Sequence, residues 1–155
     1  MRMFNFLVKA LATFFYAGFF PLIPGTFASM LGLILLFLIK GNLFIYGIIT
    51  AVLVILGFLV AGQAERIFQQ KDSRHIVIDE AAGMFLSLAF MPHDIRLLLI
   101  GFFLFRLLDT LKPFPAGRLQ NLKGSLGIMI DDIVAAFYTN IILQVVLRFA
   151  SFKAS

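Results

Sequence analysis

Apolar residues occur along the chain in five blocks that short polar segments separate. The blocks cover residues 3–20, 27–39, 44–61, 81–108 and 133–150. The third block runs for eighteen residues without a charge, close to the roughly 20 residues that cross a bilayer as a helix. Lipid accepts only helices or closed barrels, and the blocks lack the alternation of barrel strands. The pattern therefore predicts membrane helices.

Turn residues inside two stretches predict two helical hairpins. Residues 27–61 contain a turn at 40–42, and residues 81–108 contain a turn around Pro92. Proline and glycine are typical of such turns. We predict an all-α, polytopic integral membrane helical bundle with these two hairpins and a C-terminal helix over 133–150.

The N-terminal block, residues 3–20, is interrupted by Asn5, Lys9 and Thr13. This pattern predicts an N-terminal helix that either spans the membrane or lies in its interface. The chain contains neither internal repeats nor a linker, so we predict a single membrane-embedded domain over residues 1–155.

Composition narrows the class of protein further. Of the 155 residues, 61% are hydrophobic and only 14% are charged, against about 25% charged in soluble domains. There is no cysteine, which excludes disulfides, thiolate metal sites and a cysteine nucleophile. The net charge of +5 points to an anionic membrane surface or substrate, and we expect no nucleic-acid partner.

The two hairpins also predict an orientation in the membrane. Each hairpin returns the chain to its starting side, so segments 21–26, 62–80 and 109–132 share one face. Six cations lie in these segments: Arg66, Lys71, Arg74, Lys112, Arg118 and Lys123. The opposite turns carry little beyond Lys40 and Arg96. The positive-inside rule predicts that the shared face is cytoplasmic.

Acidic residues concentrate on the same predicted face. Seven of the eight acids lie there, and five of them adjoin apolar blocks: Asp79, Glu80, Asp109, Asp131 and Asp132. Carboxylates at a membrane boundary stay hydrated, pair with a cation or bind a metal. Helix capping is one interpretation for Asp79 and Asp131, but it suits Asp109, at a helix C-terminus, badly.

A divalent cation site is the other interpretation of these acids. Carboxylate oxygens suit Mg²⁺. Two histidines and no cysteine argue against zinc or copper.

Basic and turn residues adjoin these acids. Arg106 lies three residues before Asp109, on the same helix face. Its guanidinium either forms an ion pair with Asp109, extends to the membrane–water interface, or binds a phosphate group. Lys112 precedes Pro113, where the helix is expected to stop, and contacts lipid headgroups or the same phosphate. Thr26 either caps the following helix or helps to bind an anion at its N-terminus.

Four segments together resemble the phosphatidylglycerophosphatase A family of bacterial membrane lipid phosphatases. In order, they are PLIPGTFAS at 21–29, IDEAAG at 78–83, FRLLDTLKPFP at 105–115 and GIMIDD at 127–132. The resemblance implies Mg²⁺-dependent conversion of phosphatidylglycerophosphate to phosphatidylglycerol and inorganic phosphate, within phospholipid biosynthesis. It implies a multi-pass protein of the bacterial cytoplasmic (inner) membrane whose active site faces the cytoplasm.

The resemblance also implies roles for the residues named above. The pool of metal ligands and general base is Asp79, Glu80, Asp109, Asp131 and Asp132. Arg106 and Lys112 would hold phosphate oxygens, and Thr26 would add a hydroxyl or helix-end contact. The expected partners are the lipid substrate and membrane lipids, and the sequence leaves the oligomeric state open.

A second class of function fits the same acids. A small membrane ion transporter or a non-catalytic membrane subunit could use boundary carboxylates to bind cations. A transporter would place its acids near mid-bilayer between inverted repeats, whereas these acids flank the apolar blocks. The motif of CDP-alcohol phosphatidyltransferases, another class of phospholipid enzyme, is absent from the chain.

Overall fold

The protein is described by a computed structural model that covers residues 2–39 and 42–153. These residues form seven α-helices and no strand, which confirms the all-α prediction. The helices are α1 (Arg2–Ala12), α2 (Pro24–Leu38), α3 (Leu43–Phe68), α4 (Ile78–Ser87), α5 (Ile95–Leu111), α6 (Ala116–Leu119) and α7 (Ser125–Lys153). The predicted turn at 40–42 lies partly outside the described residues, and the polytopic two-hairpin arrangement stays a prediction.

Side-chain caps and backbone breaks define where helices begin and end. The Asn42 side chain accepts a hydrogen bond from the Ile45 amide at 3.1 Å and caps α3. Asp94 caps α5 by accepting from the Arg96 amide at 2.8 Å. Helix α5 ends where Lys112 adopts a left-handed backbone just before Pro113, as the sequence predicts.

Helix α4 is the centre of the bundle. It packs against α2, α3 and α7, and its Met84 and Phe85 side chains are fully buried. Helix α2 packs mainly on α4, whereas α3 packs on α1, α7 and α4. Gly83 faces Phe105 of α5, and Gly101 of α5 faces Leu88 just after α4. The chain therefore reverses direction between α4 and α5.

One end of the bundle collects the starts of α2, α4 and α7 and the ends of α3 and α5. Gly25 contacts Glu80 there, and the Gly62 amide donates to Ser125 Oγ at 2.7 Å. We call this the acidic end. At the opposite end, the Asn140 side chain donates to the Ser87 carbonyl at 3.1 Å. Segments that the sequence predicts to share a face thus lie at the same end.

Two helix boundaries differ from the sequence prediction. Helix α3 continues past Ala61 to Phe68, because Ala64 and Phe68 extend its packed face. Helix α7 begins at Ser125 rather than near 133, so Asp131 lies inside the helix. Asp131 therefore cannot cap it, and the capping interpretation of this residue is wrong.

The other proposed caps are not formed either. Asp79 lies in the first turn of α4, but the N-cap position is Val77 and no side chain caps the helix. Thr26 lies in the first turn of α2, whose N-cap position is Ile23. The acid at the start of α4 thus needs an explanation other than capping.

Helix α1 is too short to cross a bilayer. Its 11 residues rise about 16 Å, against ~30 Å of hydrocarbon. Met3, Phe4, Phe6 and Leu7 are exposed on it, while Val8 and Ala12 are buried against the rest of the protein. Of the two N-terminal alternatives, these features favour the interfacial helix.

Among the described residues, two helices are long and apolar enough to cross a membrane. They are α3 and the Ser125–Phe149 part of α7. The outer face of α3 exposes Ile48, Val52 and Ile55, as expected of a surface in contact with lipid. The length and composition of these helices support membrane association.

Candidate active site

Three carboxylates converge between α4 and α7. Asp79 and Glu80 come from the first turn of α4, and Asp132 comes from α7. One oxygen of each lies within 4.8 Å of the others. Asp79 is 8% exposed and Asp132 is 3% exposed. We call these three residues the carboxylate cluster.

Oxygens of the cluster lack partners among the described residues. Asp79 Oδ1, Glu80 Oε2 and Asp132 Oδ2 are buried without a hydrogen bond. Burial raises the pKa of the Asp79 carboxyl well above its usual range, and the charges of Glu80 and Asp132 raise it further. Burial also raises the pKa of Glu80, although a hydrogen bond with Asp79 and the charge of Arg106 act to lower it. Buried carboxylates this close destabilise one another unless a cation compensates.

The chemistry of the cluster suits a hard divalent cation. Its ligand atoms are all carboxylate oxygens, which Mg²⁺ prefers, and Mg²⁺ commonly completes its shell with water and phosphate oxygens. The unpartnered buried oxygens are the atoms that such an ion would satisfy. The residues present therefore fit Mg²⁺.

Arg106 lies beside the cluster with donors to spare. Its Nη1 is 2.9 Å from Asp109 Oδ2, so the ion pair considered from the sequence is present. The buried Nε and Nη1 atoms nevertheless form no aligned hydrogen bond within the described chain. The guanidinium can therefore bind an anion while it stays next to Asp109.

Gly25 allows the start of α2 to pack closely against Glu80 and Arg106. A methyl group at Gly25 would overlap Glu80 Oε1 and would lie 3.4 Å from Arg106 Nη2. Only glycine leaves the Glu80 carboxylate in its present place. Thr26 follows in the same turn, and its hydroxyl forms no hydrogen bond with the described residues.

Lys112 binds a different acid of the predicted pool. Its Nζ lies 2.6 Å from Asp131 Oδ2 and 2.8 Å from Gln120 Oε1. Burial acts to lower the pKa of Lys112, but the hydrogen bond and charge of Asp131, with other nearby acids, outweigh it, and the pKa lies above its usual value. Asp131 Oδ1 stays buried without a partner in the described chain.

The eight predicted site residues thus fall into distinct groups at the acidic end. Asp79, Glu80 and Asp132 form the cluster, Arg106 pairs with Asp109, Lys112 pairs with Asp131, and Thr26 lies at the start of α2. Sequence reasoning missed Gln120, because its spacing from Lys112 across a proline-rich turn carries no helical signal.

Fold and site together define a helical, membrane-associated protein with a buried carboxylate site at one end of its bundle. The chain belongs to the phosphatidylglycerophosphatase A family, whose model matches residues 10–147. The family resemblance inferred from the four segments is confirmed. Membership in this family supports the assignment of the chain as a hydrolase of the phosphatase class.

Curated relatives agree with the family. A phosphatidylglycerophosphatase A of Haemophilus influenzae is 37% identical over 88% of this chain and 86% of its own. One of Escherichia coli K12 is 34% identical over 81% of this chain and 74% of its own. A putative phosphatidylinositol-3-phosphatase of Bacteroides thetaiotaomicron is 33% identical over 91% and 94%. No solved structure matches the chain significantly.

Proposed function

We propose that this protein hydrolyses the terminal phosphomonoester of phosphatidylglycerophosphate with Mg²⁺, in phospholipid biosynthesis. The products are phosphatidylglycerol and inorganic phosphate. Two relatives carry the name phosphatidylglycerophosphatase A. The observation that carries the proposal is the buried carboxylate cluster with unpartnered oxygens beside the spare donors of Arg106.

Asp79, Glu80 and Asp132 would hold the metal ion. When bound there, Mg²⁺ would supply positive charge that offsets the charge of the phosphate and would make water a better nucleophile. Arg106 Nε and Nη1 bind phosphate oxygens, and the neighbouring Asp109 orients the guanidinium. Lys112 has three N–H donors, of which Asp131 and Gln120 use two. The third is left for phosphate.

The hydrolysis needs one bond formed and one broken. A water oxygen bonds to phosphorus while the ester bond to the glycerol oxygen breaks. A carboxylate at the acidic end takes a proton from the water and returns a proton to the departing glycerol oxygen. The lipid tails remain in the bilayer throughout, because the site lies at the end of the bundle.

The proposed site faces the cytoplasm from a multi-pass protein of the bacterial inner membrane. Arg66, Lys71, Arg74, Lys112, Arg118 and Lys123 belong to segments at the acidic end. At the opposite end the described residues include Arg96 and Arg148, an asymmetry that the positive-inside rule uses. The chain has no cysteine, so Lys123→Cys gives a unique label. We expect labelling from the cytoplasmic side only, and periplasmic labelling would reverse the orientation.

Phosphate release from a panel of lipid phosphomonoesters tests the activity. We expect purified protein with Mg²⁺ to release phosphate fastest from phosphatidylglycerophosphate, and more slowly from phosphatidic acid and from phosphatidylinositol 3-phosphate. The last substrate is included because one relative is named for it. Preference for another lipid would overturn the substrate assignment.

The alternative function is cation binding by a small membrane transporter or a non-catalytic subunit. It predicts metal binding without phosphate release from any lipid. The position of the acids at one end of the bundle favours the hydrolase.

A further inference from the structure

A groove separate from the carboxylate cluster opens at the acidic end. It has a volume of about 650 Å³ and lies between the last turns of α3, the segment that follows α3, and the start of α7. Its walls include Gln63, Arg66, Lys71 and Lys123. None of the acids of the cluster, nor Arg106 or Lys112, lines it.

The groove has a positive lining. Arg66, Lys71 and Lys123 are exposed, and none of them forms an ion pair with the described residues. Its single acid, Glu65, accepts a hydrogen bond from the Asp72 amide at 3.1 Å. Three unpaired cations around one concavity attract an anion.

Exposed aromatic residues near the groove indicate that it lies at the depth of the membrane–water interface. Phe68, two residues after Arg66, packs edge-to-face on Phe19 with ring centroids 6.2 Å apart. Phe19 stacks on Tyr16 at 5.9 Å, and Tyr16 contacts Phe6 at 6.4 Å. Phe6, Tyr16 and Phe19 are exposed. Exposed aromatic groups next to cations are typical of the membrane–water interface.

The groove also lies close to the site without being part of it. The Gly62 amide and Ser125 Oγ, 2.7 Å apart, both line its wall. Asp131 follows Ser125 by six residues on α7, a rise of about 9 Å. The groove and the carboxylate cluster therefore lie at the same end of the bundle.

We propose that this groove binds the headgroup phosphate of an anionic phospholipid, as a second lipid site distinct from the reaction centre. Cations near a bilayer surface attract such headgroups. The amides of Gln69 and Gln70 supply further donors to phosphate oxygens, whereas Gln63 Nε2 donates to the Leu59 carbonyl at 2.9 Å. The site holds an anionic lipid at the same end of the bundle as the cluster and goes beyond the hydrolysis proposed above.

Lipid binding to the full-length protein in detergent, followed by native mass spectrometry in EDTA, tests this site. The probe is phosphatidylserine, an anionic lipid that is neither substrate nor product of the proposed hydrolysis. Failure of the hydrolase assignment therefore leaves this test unaffected. Phosphatidylcholine serves as the uncharged comparison lipid.

The variant pair is Arg66→Gln/Lys123→Gln against Arg96→Gln/Arg148→Gln, which removes the same charge at the opposite end. Each cation near a surface contributes roughly a fivefold factor in affinity, so the first variant should bind phosphatidylserine about 25-fold more weakly. The second should stay within about twofold of the wild type. Arg66→Lys/Lys123→Arg should retain binding, which separates loss of charge from misfolding.

Three results of the comparison between variants and lipids would overturn the second lipid site. The first is unchanged phosphatidylserine binding in Arg66→Gln/Lys123→Gln. The second is an equal loss of phosphatidylserine binding in both Gln double variants. The third is a loss of phosphatidylcholine binding in Arg66→Gln/Lys123→Gln that matches its loss of phosphatidylserine binding. Displacement of the lipid by millimolar inorganic phosphate would show a site for the free anion and would also contradict the proposal.

Discussion

Lys112 Nζ lies 2.6 Å from Asp131 Oδ2, an ion pair that joins the end of α5 to the second turn of α7. Nineteen residues separate the two along the chain. The Asp131 side chain is 7% exposed and that of Lys112 is 30% exposed. Asp131 adjoins Asp132 of the cluster, so the pair fixes the part of α7 that carries a proposed metal ligand.

Replacing Lys112 tests how much this ion pair contributes to the stability of the protein. Lys112→Met leaves a buried carboxylate without its cation, and we expect the free energy of unfolding to fall by about 1–3 kcal/mol. Phosphate release should also fall. Equilibrium denaturation of the purified protein measures the first effect.

A double-mutant cycle isolates the interaction. Lys112→Met/Asp131→Asn should be less destabilised than the sum of the two single variants, with a coupling of about 1–2 kcal/mol. Additive effects would mean that the two side chains do not interact in the protein.

Gly25→Ala should affect activity more than stability. The added methyl overlaps Glu80 Oε1, the mobile tip of a side chain, so the carboxylate moves while the helix remains. We expect phosphate release to fall about 10- to 100-fold, with unfolding nearly unchanged.

Gly32→Ala is the matched control on the same helix. Its new Cβ would meet Met84 Cβ at 3.5 Å, an ordinary contact. Activity close to wild type is expected there. Equal losses in both variants would show that α2, rather than the Glu80 position, is responsible.

Asp132→Asn should separate stability from activity. Removing one of three crowded buried carboxylates relieves repulsion, so we expect the free energy of unfolding in EDTA to rise by about 1 kcal/mol. Phosphate release should fall at least about 100-fold. Asp94→Asn, which keeps a capping side chain on α5, should change neither quantity. A destabilised Asp132→Asn in EDTA would contradict crowding as the dominant effect.

Asn140 lies far from the site and gives a purely structural comparison. Its amide donates to the carbonyls of Ser87, the last residue of α4, at 3.1 Å and of Ala89 at 2.7 Å. Asn140→Ala should lower the free energy of unfolding by about 1–3 kcal/mol. The kcat of the folded fraction should not change. A large loss of kcat would show that the far end of α4 controls the site.

The apolar blocks predict most of the fold because lipid leaves the chain few alternatives to helices. The grouping of acids at one end also follows from two predicted chain reversals. The sequence predicts the start of α7 too late, because Asp131 and Asp132 look like a polar boundary just before the last apolar block. They fit inside a helix because the bundle provides Lys112 and, in the proposed function, a metal ion.

The division of the five acids into separate groups required the structure. Residues such as Asp79 and Asp132 come from different helices, and their distance depends on how closely α4 and α7 pack. Gly83, with the Asp132 Cβ 3.5 Å from the position of an added methyl, permits that packing. The sequence pattern within a single segment does not predict such a contact between two helices.

Binding of Mn²⁺, as a paramagnetic substitute for Mg²⁺, tests the shared metal site most directly. Electron paramagnetic resonance counts the bound ion on the purified protein without any substrate. We expect bound Mn²⁺ in the wild type and in Asp94→Asn, with Mg²⁺ as a competitor, and loss of Mn²⁺ binding in Asp79→Asn and in Asp132→Asn. Unaltered Mn²⁺ binding in both cluster variants, or none in the wild type, would contradict it.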